Sequence, residues 1–235
     1  MRLAMCLLAM GLGACAATPP ATGPRTSRAT TPDAAGLVSI QALVPDIDLD
    51  IRYAGHHNFT GAPVDGYDAP RCYLLRPAAE ALARVETALR PQGYRLRIFD
   101  CYRPVRAVRD FMAWIDTPDD AATKAAWYPQ LDKRSLRGDY IAPTSGHSRG
   151  ATLDLTLLRC EHDACTPLDM GTPFDFFDTS ANTDSPKVTP AQRANRHVLG
   201  DAMTRGGFRN YPMEWWHFTL QPEPTPDTQY DVPVR

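Results

Sequence analysis

The stretch SGHSRGATLDLTLL, residues 145–158, joins a turn rich in Gly and Ser to a strand. Leu153, Leu155 and Leu157 alternate with Thr152, Asp154 and Thr156, the period-two pattern of a strand with one apolar and one polar face. Asp154 is the anomaly. A carboxylate in a sheet is costly unless it is paired, hydrogen-bonded or bound to a cation. His147 stands in the turn seven positions earlier and offers a nitrogen ligand. The stretch predicts a strand with a cation held against its polar face.

A second strand supports this reading. EWWHFTL, residues 214–220, is aromatic and β-prone, and it carries His217. Two adjacent strands and one turn would supply His147, Asp154 and His217. That donor set suits Zn²⁺ and leaves a fourth position open, as a catalytic zinc site requires. Glu214 lies three residues before His217 and is by type a candidate base for a water at the metal. In a regular strand an odd spacing points two side chains to opposite faces. Glu214 therefore needs a bend before the strand, which Pro212 and Met213 could provide, or else it is a surface carboxylate. Arg103 in FDCYRPVRAV sits between a strand and a helix opened by Pro104. It could face developing negative charge, or pair with Asp100 for structure; the residues alone leave both open.

Around these strands lie helices. PAAEALARVETALR (77–90) has Ala78, Leu82, Val85 and Leu89 on one stripe, and PVRAVRDFMAWI (104–115) has Val105, Val108, Met112 and Ile115. In TPAQRANRHVLGDAMTRGG, Thr189 is a candidate N-cap, Pro190 the first helical residue and Gly206 the stop. YRLRIF (94–99) alternates as a half-exposed strand. Helices and strands mix without a βαβ rhythm, so the fold class is α+β.

The chain has 235 residues, 22% of them charged, and a formal net charge of -2. That suits one domain and gives no basic face for nucleic acid. The N-terminus, MRLAMCLLAMGLGAC, has Arg2, a short apolar run from Leu3 to Leu12, and then Leu12-Gly13-Ala14-Cys15. It reads as an export signal over residues 1–14. The final four residues resemble a bacterial lipobox, with Cys15 as the lipidated first residue of the mature chain. Ala16 after Cys15 suggests the outer membrane, so the expectation is a periplasmic protein whose only membrane contact is its lipid; an ordinary cleaved signal is the alternative. Residues 15–36, rich in Ala, Thr and Pro, read as a tether, and residues 37–235 as the domain. Export leaves Cys72, Cys101, Cys160 and Cys165, an even number in an oxidising compartment. The short CEHDAC loop favours Cys160 with Cys165 and leaves Cys72 for Cys101; a soft-metal site is disfavoured because no CxxC spacing occurs.

Taken in order, NFTGAPVDGY, DCYRPVRAV, SGHSRGATLDLTL, MGTPFDFFD and GGFRNYPMEWWHF resemble the D-alanyl-D-alanine dipeptidases, from about Asp46 to the C-terminus. The resemblance implies a small α+β zinc peptidase fold with a central antiparallel sheet flanked by helices, shared with D,D-carboxypeptidases and hedgehog-like domains. It implies one Zn²⁺ held by His147, Asp154 and His217, with Glu214 as general base and acid. Arg103 would polarise the scissile carbonyl, with Asp100 and Tyr102 in support. Asp175 and Ser145 match positions that hold the free amine of a small D,D-dipeptide. Gly146 and Cys101 depart from the usual residues, and so does the RCEHDAC segment. A peptidoglycan D,D- or L,D-carboxypeptidase and a zinc-containing binding module without turnover are the competing readings.

Overall fold

The computed structural model describes residues 23–162 and 164–235. The expected signal with Cys6, and the start of the expected tether with Cys15, lie outside the described residues. The strands are β1 (Arg25–Thr26), β2 (Leu37–Ser39), β3 (Asp48–Leu49), β4 (Tyr73–Leu75), β5 (Tyr94–Asp100), β6 (Thr152–Glu161), β7 (Ala164–Pro167), β8 (Phe208–Tyr211), β9 (Glu214–Leu220) and β10 (Thr228–Gln229). The α-helices are α1 (Arg76–Leu89), α2 (Val105–Ile115), α3 (Ala121–Trp127) and α4 (Pro190–Arg205).

The local signals explain the helix limits. α1 opens with Pro at its second position, which needs no N–H there. Thr189 and Gln192 form a reciprocal capping box at the start of α4, satisfying two otherwise orphaned backbone donors. α1 and α4 pack on each other and against the sheet. Gly206 sits where they meet: a Cβ added there would collide with the Val85 side chain.

The main sheet runs β3-β5-β6-β9-β8, with β7 folded back onto β6. All its pairings are antiparallel except β3 with β5, so the expected antiparallel sheet gains one parallel edge. β6 is central, and its register puts Asp154 opposite His217 on β9 and opposite Asp100 on β5. The polar face expected for this strand is not solvated: Thr152, Asp154 and Thr156 are all buried. Aromatic residues cover that side, among them Phe99 and Phe174, stacked at 4.8 Å.

A second difference concerns the tether. Within residues 23–36, β1 pairs in parallel with β10 near the C-terminus, and Ala35 is buried in a turn closed by Leu37 N–H to Pro32 O. Residues 23–36 of the Ala/Thr/Pro segment are therefore docked on the domain. Its backbone groups find partners in strand and turn, although its composition carries no apolar periodicity.

Candidate active site

A cavity of about 250 Å³ opens on the buried polar face of β6. His147, Asp154, His217, Glu214, Arg103, Asp175 and Ser145 all line it. The fold thus gathers seven residues singled out from the sequence.

His147 opens a single 3₁₀ turn, Ser145 Oγ accepts its backbone N–H at 3.2 Å, and Gly150 closes the turn at φ 77. Nδ1 of His147 donates to the Cys101 carbonyl at 2.7 Å. That leaves Nε2 as the lone-pair nitrogen facing the cavity. Nε2 lies 3.3 Å from Asp154 Oδ2 and 3.3 Å from His217 Nδ1, and His217 Nδ1 lies 3.0 Å from Asp154 Oδ1. One donor atom from each of the three residues lies within 4.8 Å of the others. Asp154 Oδ1 is buried, and no hydrogen bond is directed at it. Electron-pair donors converging without enough protons between them are what a cation would satisfy. Two imidazoles and a carboxylate form a zinc-type set with room for a further ligand. Burial opposes the charge on Asp154, but His147 and His217 outweigh it and hold the carboxyl below its usual range. Burial likewise opposes the charge on His217, and Asp154 more than compensates, raising its pKa.

Glu214 reaches the same face because the strand is irregular. The β8–β9 register breaks between Asn210 and Tyr211, where Tyr211 pairs with Glu214. The Asn210 amide donates to the carbonyls of both Glu214 and His217 at 3.0 Å, pinning the irregular segment. Glu214 Oε2 comes to 3.4 Å from His217 Nδ1. Burial, partly offset by His217, raises the Glu214 carboxyl to about 7. The expected bend is thus a register shift, a common device for re-aiming a side chain beside an active site.

A bulge in β5 does the same for Asp100. The β5–β6 register shifts between Ile98 and Asp100, which turns Asp100 to the side of Asp154. Arg103 donates from Nε and Nη2 to Asp100 Oδ2 at 3.0 and 2.9 Å, with Nη2 3.7 Å from Asp154 Oδ2. The two readings of Arg103 are therefore compatible: it pairs with Asp100 and still faces the cavity. Its guanidinium lies 5.1 Å from the Tyr53 ring and 5.0 Å from the Phe111 ring. Burial works against its charge, and the neighbouring Tyr53 and Asp100 groups overcome it, so Arg103 stays protonated.

Asp175 lines the cavity from the loop after β7, with φ at 60. It is buried and accepts the Tyr53 hydroxyl at 2.8 Å. Burial and the nearby Asp154 push its pKa well above the usual carboxylate value. Tyr102, expected to support Arg103, does something else. Its hydroxyl bridges the carbonyl and N–H of Val232 and ties the C-terminal segment down. Its ring is not among the cavity residues.

Three residues that sequence reasoning missed complete the site. Tyr53 holds Asp175, Tyr67 donates to Asp100 Oδ1 at 2.6 Å, and Asn210 fixes the register break. Tyr67 stands in the VDGY motif already noted, but its spacing gives no hint of a partner. The structure also joins Cys72 to Cys101 and Cys160 to Cys165. Among the described lining residues are four carboxylates (Asp139, Asp154, Asp175, Glu214) against one fixed cation, Arg103. The cavity is therefore electrostatically suited to a metal ion and to a ligand with a positive end.

The family model described as D-ala-D-ala dipeptidase matches residues 33–235. The D-alanyl-D-alanine dipeptidase of Streptomyces coelicolor is 42% identical over 197 residues, covering 83% of this chain and 96% of that one. That of Enterococcus faecium is 37% identical over 201 residues, covering 85% and 98%. A crystal structure of the vancomycin resistance D,D-pentapeptidase VanY in complex with Zn(II) is similar at 15% identity and a TM-score of 0.35, covering 67% of this chain and 77% of that one.

Proposed function

Since this chain belongs to the D-Ala-D-Ala dipeptidase family, we propose that it hydrolyses the free dipeptide D-Ala-D-Ala to two D-alanines, using one Zn²⁺. The reading rests on one juxtaposition. A carboxylate buried and hydrogen-bonded by a tyrosine shares a cavity of about 250 Å³ with a His-Asp-His cluster and a second carboxylate. That volume lies below the roughly 300–1,000 Å³ of sites for drug-sized ligands. It suits a dipeptide and little more.

His147, Asp154 and His217 would hold the metal. When bound, Zn²⁺ supplies Lewis acidity that activates water and polarises a carbonyl. Glu214, near neutrality because of burial, accepts the proton of the attacking water and passes it to the leaving amine. Arg103 faces the oxyanion, and Asp100 and Tyr67 keep its guanidinium in place. Asp175, oriented by Tyr53 and with Ser145 lining the same cavity, takes the substrate's ammonium. A buried carboxylate that must find a cation gives strong discrimination against an N-blocked substrate.

The setting is the periplasm, with the chain anchored to the outer membrane through Cys15. The lipobox-like LGAC sequence supports this, and so do two disulfides, which persist in oxidising compartments. There the enzyme would act in turnover of wall-derived dipeptide rather than in removing it before wall precursors form. Release of D-alanine from D-Ala-D-Ala by zinc-loaded protein tests the activity. Cleavage of a stem pentapeptide in preference to the dipeptide would make it a carboxypeptidase, and zinc binding without turnover would make it a binding module. Radiolabelled palmitate incorporation that survives in a Cys15→Ser variant would sink the anchor.

A further inference from the structure

Both cysteines of the Cys72–Cys101 bridge are buried, and Cys101 stands between site residues. Asp100 precedes it, Arg103 follows two residues on, and its carbonyl receives the His147 Nδ1–H at 2.7 Å. Beyond Asp100 the chain has left the sheet ladder. Besides the Tyr102 hydroxyl on Val232, two backbone hydrogen bonds hold it there. Tyr102 N–H reaches the Tyr73 carbonyl at 2.9 Å, and Arg103 N–H reaches the His147 carbonyl at 3.3 Å. The bridge adds a covalent tie to Cys72, just before β4, whose own carbonyl accepts Ile40 N–H.

We infer that the Cys72–Cys101 disulfide is a positioning element of the metal centre, fixing the carbonyl that orients His147. The inference rests on the reading of His147, Asp154 and His217 as a zinc site. A ligating imidazole takes its tautomer and ring direction from the acceptor on its other nitrogen, and losing such a partner lowers metal affinity about 10–100-fold. Here the nearest acceptor is a backbone oxygen at 2.7 Å, with Asp100 Oδ2 farther off at 3.4 Å; no side-chain substitution removes that carbonyl, but a loosened backbone can displace it. The second bridge provides the contrast. Cys160 and Cys165 face each other across the β6–β7 pair, toward the solvent end of β6 and past the buried stretch that holds Asp154. That bridge closes a hairpin and touches no ligand. Because such bonds form in oxidising compartments, full zinc affinity would develop only after export. A chain kept in a reducing compartment would hold the ion weakly, so loading is coupled to location.

The test is zinc affinity of the full chain, measured by competition with a chromophoric chelator well below the melting transition. The expected result is a loss of about 10-fold or more in a Cys72→Ala/Cys101→Ala variant, with Cys160→Ala/Cys165→Ala unchanged. A Cys72→Val/Cys101→Ala variant, which refills part of the lost volume, should be weakened as well. A merely stabilising bridge would lower the melting temperature of the folded variants and leave their affinity at the wild-type value, which would overturn the inference. Failure of both Cys72/Cys101 variants to fold would also overturn it, since the bond would then serve the whole domain. Wild-type protein that does not bind zinc would instead refute the metal reading itself, so the two failures are distinguishable.

Discussion

The two ends of the cavity are built differently. The metal end is a product of sheet register: Asp154 and His217 face each other across β6 and β9, and His147 enters from the turn that opens β6. The amine end hangs on the loop after β7, where no ladder fixes anything. Its Asp175 adopts a left-handed backbone that few residues other than Gly tolerate, though Asp is among the better. Side chains from elsewhere hold that loop. Tyr53 binds Asp175, Trp215 Nε1 donates to Thr172 at 2.9 Å, and the buried Arg196 donates to the Met170 and Asn182 carbonyls on either side. Strands thus give the cluster the precision a metal requires, and a stapled loop carries the residue proposed to select the substrate. Scaffolds commonly put variable specificity on loops for this reason.

Substitutions should separate the two ends. The largest effect is expected from Asp154→Ala. It should weaken zinc binding beyond the roughly 100-fold that a supporting partner can cost and bring hydrolysis to background, as read by metal analysis after dialysis. Next is Glu214→Gln. The expected loss is about 10²–10⁴ in kcat, with zinc content and KM little changed. A Glu214→Gln enzyme as fast as wild type would mean that another group moves the proton. Smaller again is Tyr53→Phe, which removes one hydrogen bond to the Asp175 carboxyl and keeps the ring that packs against Arg103. It should raise KM for D-Ala-D-Ala roughly tenfold and leave zinc affinity untouched; a matching loss of zinc would show that the Asp175 loop also supports the cluster.

The smallest effect concerns stability and has the opposite sign. Burial raises the Asp175 pKa, so the folded state binds a proton more tightly than the unfolded chain. Stability from this group is full below about pH 4, the unfolded value, and declines as pH rises through the folded pKa. Asp175→Asn cannot ionise and tolerates the same backbone. It should melt higher than wild type at pH 8 and equally at pH 3.5, by roughly 2–4 °C for each kcal/mol gained. Equal melting at both pH values would show that the carboxylate is not strained by its burial.

The metal end was also the legible end. Strand alternation exposed Asp154, the Gly- and Ser-rich turn framed His147, and β-prone aromatics located His217, so three ligands could be read as neighbours before any coordinates. Alternation fails where the strands break it. The bulge near Phe99 and the shift beside Tyr211 turn Asp100 and Glu214 onto the metal face, against the period of two. A bulge leaves no period of its own, and here the agent of one is a single amide, Asn210. The amine end was legible only by resemblance. Tyr53 is 122 residues from Asp175, and no local pattern links a hydroxyl to a carboxylate over that distance. The docking of β1 leaves no local signal for a related reason. Its partner, β10, lies at the other end of the chain.

The most direct test pairs Asp175→Asn with wild type on free D-Ala-D-Ala and on its N-acetylated copy, with zinc content measured in parallel. Wild type should cleave the free dipeptide and leave the blocked one. The variant should lose about 10²–10³ in kcat/KM on the free dipeptide, the cost of leaving a buried charge without its partner, while keeping its zinc. The preference for a free amine should shrink accordingly. Unchanged discrimination in a zinc-loaded Asp175→Asn enzyme would contradict the account, because the amine would then be read somewhere else.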